Sequence, residues 1–170
     1  PATEDVSLEE VEELNAVQFQ AMDIIAGRMC PELGGSTELF DIVGVNYYYN
    51  NQWDNLRGTL PWPSLDRKLT PLSNLLLKAY YRYNKPLVLT ETGHFGALRA
   101  QWLEEITLEC NRALFLGVDL RGICIYPVID RPDWDDLSDY SNCGVWDLDQ
   151  DKNRIPHIPS IETLSRCVQF

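Results

Sequence analysis

The sequence is poor in basic side chains. It carries 14 lysines and arginines against 26 aspartates and glutamates, for a formal net charge of −12 over 170 residues. Nucleic acids and anionic membrane surfaces are bound by clustered Lys and Arg, so this composition argues against both classes of partner. The sequence also has no run of about 18 apolar residues, so we expect no transmembrane helix. Its polar, acidic first residues predict no signal peptide.

Several short motifs that bind cofactors or metals are missing as well. No Gly-x-Gly-x-x-Gly or Walker sequence occurs, so a nucleotide-binding fold has no support. The five cysteines are widely spaced and form no Cys-x-x-Cys pair, which argues against zinc and redox sites. We therefore expect no cofactor and no metal, and unpaired thiols that suit a reducing, cytoplasmic location.

The chain does have enough apolar and aromatic residues, 45% and 11%, for the core of a single domain over residues 1–170. Helical spacing predicts helices over residues 7–29, from 71, over about 97–116 and from about 160. Short apolar runs predict strands over residues 41–48, 86–91 and 122–128, followed by a hairpin near 145–154. Alternating helices and strands, with strands apolar on both faces, indicate an α/β fold with a parallel sheet.

Polar and aromatic side chains stand where the three predicted strands end. Asn46 and Tyr48 close the first strand, Glu91 closes the second and Tyr126 the third, and an acidic loop follows. The ends of parallel strands lie side by side, so these groups should surround one carboxylate. A lone glutamate at a strand end is as often structural as functional, but phenol, amide and indole neighbours suit a sugar. They make Glu91 the first candidate for function.

Four segments resemble one family in the order that the family has them. Residues 41–50 (DIVGVNYYYN), 86–93 (PLVLTETG), 122–134 (GICIYPVIDRPDW) and 142–156 (NCGVWDLDQDKNRIP) resemble the C-terminal part of family 1 glycoside hydrolases. The resemblance implies part of an eight-stranded (β/α) barrel, about strands six to eight with their helices. It also implies a retaining β-glucosidase-like activity on a carbohydrate substrate.

The same resemblance implies roles for three strand-end residues. Glu91 matches the nucleophile that forms a glycosyl-enzyme. Tyr48 matches the tyrosine that hydrogen-bonds and orients this carboxylate, and Asn46 matches the asparagine that supports the carboxylate and the sugar.

Five further residues are candidates for substrate binding. Tyr126 occupies the position of a stacking tryptophan, and Asp133 and Trp134 match the Glu-Trp pair that binds the hydroxyls of the terminal sugar. Trp53 lies in the loop after the first strand and either stacks on a sugar or packs the loop down. His94 follows Glu91 closely and either contacts substrate or is an ordinary loop residue.

The chain departs from the family in ways that put the sugar preference in doubt. Thr92 stands where the family has Asn, and Asn142 with Cys143 replaces an Arg-Phe pair. Asp133 is one carbon shorter than Glu. These changes suggest a divergent relative.

No Asn-Glu dipeptide occurs, although the family's acid/base follows an Asn at the end of the fourth strand. The sequence also lacks an initiating methionine. We therefore expect a C-terminal fragment that is inactive alone. Because three strands leave the sheet open, it should pair with the N-terminal half of its barrel or self-associate.

Two other interpretations stay open. The chain could be a non-catalytic module that binds glycans or serves only as a folded part of a larger enzyme. It could also belong to another barrel enzyme that uses Glu91 as a general base, but such a site needs a lysine or a metal near the strand ends.

Overall fold

The computed structural model is centred on a three-stranded parallel sheet, as the sequence predicts. It describes residues 7–54, 58–60, 62–63 and 69–167. The strands of the sheet are β1 (Val43–Asn46), β4 (Leu87–Thr92) and β5 (Leu120–Ile125), in the order β1-β4-β5. All three therefore end at the same edge, where the candidate site residues lie.

The described residues also contain five α-helices and two short hairpins. The helices are α1 (Leu8–Val17), α2 (Gln20–Ile25), α3 (Leu72–Tyr83), α4 (Arg99–Phe115) and α5 (Ile158–Cys167). The hairpins pair β2 (Trp53–Asp54) with β3 (Gly58–Thr59), and β6 (Trp146–Leu148) with β7 (Arg154–Pro156). The second hairpin confirms the one predicted near residues 145–154.

The prediction of one long helix over residues 7–29 is wrong in two respects, its continuity and its end, since the last helical residue is Ile25. Its start at the Ser7–Glu10 capping box is confirmed, but the helix ends at Val17 and a separate helix follows. Leu14 and Val17 stay exposed on α1, whereas Phe19, at the break, is buried. The turn therefore buries Phe19 and brings Asp23, the buried residue of the second helix, to the interior, while Ile25 stays exposed.

Helices α3 and α4 pack together over one face of the sheet and form the core with it. The buried side chains at this contact are mainly aliphatic, with one tryptophan: Leu72, Leu76, Ala79, Leu87, Leu89, Trp102, Ile106 and Ala113. Leu87 and Leu89 alternate along β4, which places this face of the strand under the helices.

Two buried carboxylates join helices to one another. Asp23 on α2 accepts hydrogen bonds from Arg82 and from the Tyr83 hydroxyl, the latter at 3.1 Å. The Arg82 guanidinium holds the pKa of Asp23 below its usual range, while burial raises the pKa of Tyr83 to about 12. Glu109 on α4 accepts from the backbone N–H and the hydroxyl of Ser73, at 3.0 and 2.7 Å, in the first turn of α3.

The register between β1 and β4 contains one extra residue on β4. Val45 lies opposite Leu89, and Asn46 lies opposite Glu91, so Thr90 has no counterpart on β1. Such a bulge locally breaks the alternation of a strand and re-aims the side chains beside it. This irregularity lies directly before Glu91 and so determines where that carboxylate points.

Among the described residues, the edge strands β1 and β5 each pair with another strand on one side only. A cavity of about 570 Å³ lies beside β1, with α1, α2, α3 and the β2–β3 hairpin contributing to its walls. None of the described helices combines the length and the apolar character that crossing a membrane requires.

Candidate active site at the strand ends

Glu91 lies next to last on β4, and its carboxylate reaches the end of β1. It is half-buried, and its Oε2 accepts a hydrogen bond of 2.9 Å from the side-chain amide of Asn46. The two residues are register partners across the parallel pair. The sequence-based expectation that these strand ends lie side by side is therefore met for this pair.

Tyr48 brings a phenol to the same carboxylate. Burial is the main cause that raises the pKa of Tyr48 above its ordinary value. A hydrogen bond with the Glu91 carboxylate and the negative charge of that group raise it further. In that hydrogen bond the Tyr48 hydroxyl is the donor and the Glu91 carboxylate is the acceptor. The Asn51 side chain accepts a hydrogen bond from the backbone N–H of Tyr48, which holds the start of the following turn.

Tyr126 is held against the end of β4 by backbone contacts. Its N–H donates to the carbonyl of Thr92 at 2.9 Å. A Cβ on Gly93 would lie only 2.0 Å from the Tyr126 carbonyl oxygen and 3.8 Å from the ring of Tyr48. Glycine at position 93 thus leaves room for the Tyr126 carbonyl oxygen and for the ring of Tyr48.

Arg131 is a site residue that the sequence-based reasoning missed. Its guanidinium lies 4.5 Å from the ring centre of Trp134 and 5.8 Å from that of Tyr126, and its positive charge opposes the rise in the pKa of Tyr48. The signal that could have found it is a single basic residue in an otherwise acidic loop, three residues before the tryptophan.

Asp130 is buried beside the segment in which the chain departs from the family pattern. Its Oδ1 accepts from the backbone N–H of Cys143 at 3.0 Å and from the Cys143 thiol at 3.2 Å. Burial first, and then this carboxylate, raise the pKa of Cys143 to about 11. A thiol that stays protonated is a poor nucleophile, so Cys143 has a structural part in anchoring the loop.

Asp133 and Trp134, the predicted sugar-binding pair, lie in the loop after β5. The first makes hydrogen bonds within its own loop, and the second is largely exposed. The carboxylate of Asp133 accepts from the backbone N–H of Asp135 at 2.8 Å and from the Ser141 hydroxyl at 3.5 Å, so it organises its own loop. Trp134 is 75% exposed, with only the Arg131 guanidinium over its ring among the described ring contacts. The indole is therefore available to stack on a ligand.

Neither of the other two predicted substrate-binding residues contacts Glu91 in the interactions that the described residues make. Trp53 is 55% exposed and lines the cavity beside β1 together with Asn46. His94 is only 7% exposed, with ring centres 4.3 Å from Tyr49 and 5.3 Å from Trp62. Burial lowers the pKa of His94. Its surroundings favour packing over substrate contact, and its role in binding stays a prediction.

Thr92 replaces the family's asparagine on the opposite face of β4 from Glu91. It is fully buried, and its hydroxyl accepts a hydrogen bond from the indole of Trp102 on α4. This departure therefore alters the contact between strand and helix and does not reach the carboxylate face.

The arrangement supplies one carboxylate that interacts with an amide and a phenol. Such a group can act as a nucleophile, as a base or as an acceptor for sugar hydroxyls. In the part of the chain that the structure describes, no three His, Cys, Asp or Glu side chains are grouped so as to hold a metal ion.

Comparison with known proteins identifies the fold. No protein-family model and no curated protein sequence matches the chain. Solved structures do match, among them the hyperthermophilic β-glucosidase from Pyrococcus furiosus, which is 19% identical with a TM-score of 0.71. That match covers 95% of this chain and 38% of the other.

Two further matches agree with it. The β-glycosidase from Thermosphaera aggregans is 19% identical with a TM-score of 0.58, covering 76% of this chain and 32% of the other. The Thermotoga maritima β-glucosidase in complex with noeuromycin is 17% identical with a TM-score of 0.62, covering 91% and 47%. The chain thus spans less than half the length of the structures that it matches. Its mixed α/β fold is similar to part of a β-glucosidase, which confirms the resemblance at the level of the fold.

Proposed function

We propose that the chain supplies strands six to eight, with their helices, of a (β/α)8 barrel in a retaining family 1-like glycoside hydrolase. The observation that carries this proposal is the triad of Asn46, Glu91 and Tyr48, at the carboxyl ends of two adjacent parallel strands. Active sites of such barrels lie at this end of the strands. The likeness to β-glucosidase structures supports the same assignment.

In this proposal Glu91 acts as the nucleophile. One of its oxygens attacks the anomeric carbon of a glycoside, the bond to the leaving-group oxygen breaks, and an acid protonates that oxygen. Water then attacks the anomeric carbon of the glycosyl-enzyme, gives its proton to the same acid/base residue and releases Glu91. Asn46 and Tyr48 keep the carboxylate oriented through both steps.

The acid/base is supplied from outside this chain. A retaining mechanism needs a second carboxyl group about 5–5.5 Å from the nucleophile. The sequence has no Asn-Glu dipeptide, which would mark that group in the family pattern. We infer that the missing barrel half closes the sheet at β1 and β5 and brings this residue, so the isolated chain is inactive.

Trapping of the intermediate tests the proposal. The longer parent protein is incubated with a 2-deoxy-2-fluoro glycoside carrying a good leaving group, and the labelled peptide is identified by mass spectrometry. Labelling of Glu91, lost in Glu91→Gln and kept in the exposed-site control Glu105→Gln, is the expected result. Labelling of another residue, or none with any sugar tested, would overturn it.

A second candidate is a glycan-binding module without catalysis. The observation that favours it is Asp133, whose carboxylate is engaged within its own loop and is shorter than the family's glutamate. Binding of a sugar to the parent protein by calorimetry, with no hydrolysis and with affinity unchanged in Glu91→Gln, would select this alternative.

We further propose that the protein resides in the cytoplasm. All five cysteines are free, which supports a reducing compartment. Fractionation of cells that express the parent protein, followed by detection with an antibody, tests this location.

A further inference from the structure

Thr90 is connected to Glu91 through the side chain of Asn46. The Thr90 hydroxyl donates a 2.8 Å hydrogen bond to Oδ1 of Asn46, and Nδ2 of the same amide donates to Glu91 Oε2 at 2.9 Å. An amide presents one accepting and one donating end. With its accepting end occupied by Thr90, Asn46 keeps its donating end on the carboxylate.

The bulge in β4 makes this connection possible. In a regular strand, consecutive side chains point to opposite faces, so Thr90 and Glu91 could not both reach Asn46. Because Thr90 is the extra residue opposite β1, it and Glu91 both contact the Asn46 side chain, while Thr92 is buried beside Trp102.

The neighbouring strand leaves room for the threonine. A Cβ on Gly44 would lie 2.9 Å from Cγ2 and 3.0 Å from Oγ1 of Thr90. Gly44 is not one of the glycines with a positive φ, so its backbone conformation does not require glycine. The space that the Thr90 side chain needs explains the glycine at this position. A methyl group here would push the Thr90 side chain away from Asn46.

We propose that Thr90 is a positioning residue for Glu91, acting through Asn46, and that Gly44 provides the space that it needs. Thr90 does not touch the reacting atoms itself. Its hydroxyl fixes the amide that holds the nucleophile. The inference rests on the proposed function for its consequence in catalysis, but the hydrogen-bonded chain exists in the fold irrespective of that function.

The first test needs no activity. NMR spectra of the 170-residue chain, with ¹⁵N-labelled asparagine, report the side-chain amide protons of Asn46. In Thr90→Val, which keeps the shape and removes the hydroxyl, we expect these protons to shift toward solvent-exposed values and to exchange about tenfold faster, as expected for the loss of one hydrogen bond. Thr90→Ser keeps the donor and should leave them unchanged, whereas Gly44→Ala should resemble Thr90→Val.

The second test uses the parent protein and the rate of glycosyl-enzyme formation. Thr90→Val should lower this rate about tenfold with KM nearly unchanged, and Thr90→Ser should restore it. Unchanged Asn46 signals in a folded Thr90→Val chain would overturn the inference while leaving the proposed function intact. Changed signals in a parent protein that forms no glycosyl-enzyme, even unmutated, would overturn the proposed function and leave the positioning chain intact.

Discussion

The indole Nε1 of Trp102 donates a 2.9 Å hydrogen bond to the hydroxyl of Thr92, across the contact between α4 and β4. This bond explains why threonine is suited to a position next to the candidate nucleophile. Thr92 contributes to the packing of α4 on β4, whereas Glu91 lies on the other face of β4, where it interacts with Asn46. Two adjacent residues thus have separate tasks, and their variants should have separate effects.

Replacement of Thr92 by valine should destabilise the chain without altering the Glu91 face. It leaves the buried N–H of Trp102 without an acceptor, which costs about 1–3 kcal/mol. Denaturant unfolding monitored by tryptophan fluorescence measures this loss. Thr92→Ser keeps the oxygen and should retain most of the stability. No loss in Thr92→Val, with a loss in Thr92→Ser, would mean that the methyl group, and not the hydrogen bond, matters here.

Replacement of Gly93 by alanine should displace the end of β5. The added Cβ would meet the Tyr126 carbonyl oxygen at 2.0 Å, a backbone atom that cannot move without breaking the pairing of the strands. Overpacking of this kind costs about 1–3 kcal/mol. Thermal unfolding provides the measurement. The matched control is Gly122→Ala on β5, where a Cβ meets nothing within 4 Å and no loss is expected.

Replacement of Glu109 by alanine should weaken the contact between α3 and α4. It removes the acceptor for both the backbone N–H and the hydroxyl of Ser73, which are buried. The expected loss is about 2–3 kcal/mol, since hydrogen bonds to a charged group contribute more than neutral ones. Glu105→Ala on the exposed side of the same helix should lose less than about 0.5 kcal/mol. Comparable losses in the two variants would contradict the proposed contact.

The stability of the chain should fall as the pH drops below about 6.5, the ordinary pKa of histidine. Burial lowers the pKa of His94 in the folded state, so below this pH the unfolded chain binds a proton that the folded chain does not. The stabilisation that neutral His94 contributes is fully present above the pKa that His94 has in the unfolded chain. It is lost as the pH falls toward the lower pKa that His94 has in the folded chain. Urea unfolding between pH 7.5 and about 5 provides the measurement.

The variant His94→Phe tests the source of that dependence. Phenylalanine fills the space among Tyr49, Trp62 and Trp102, and cannot take up a proton. Its stability curve should be flatter than that of the unmodified chain. A residual slope is expected from His157, whose pKa is lowered by partial burial and then by the charge of Arg99. An unchanged slope in His94→Phe would assign the effect elsewhere.

Short-range patterns were sufficient to predict the three strands of the parallel sheet, the β6–β7 hairpin, the capping box and the closeness of Asn46 to Glu91. Each depends on residues that are close in sequence or on the common edge of a parallel sheet. The bulge at Thr90 could not be predicted in this way, because β-formers before and after it give no sign of an extra residue. The break between α1 and α2 could not be predicted for a related reason. The apolar spacing continues through the break, and only packing shows which side of each helix is buried.

The site was predictable in its centre and less so at its rim. Glu91, Asn46 and Tyr48 follow from strand ends, where position along the chain determines position in space. Arg131 and the engagement of Asp133 within its loop depend on how an irregular acidic segment folds on itself. His94 shows the same limit: proximity to Glu91 in sequence suggests the site, but its ring lies among aromatic residues.

The extra residue in β4 also bears on misfolding. A strand that slipped into regular alternation after Leu89 would turn Glu91 to the helix-covered face, into the place that Thr92 now fills beside Trp102. An unpaired carboxylate buried there would cost several kcal/mol. The slipped alignment is therefore destabilised by Glu91, the residue that it would misplace. Correct folding of β4 and correct placement of the Glu91 carboxylate thus depend on the same residue.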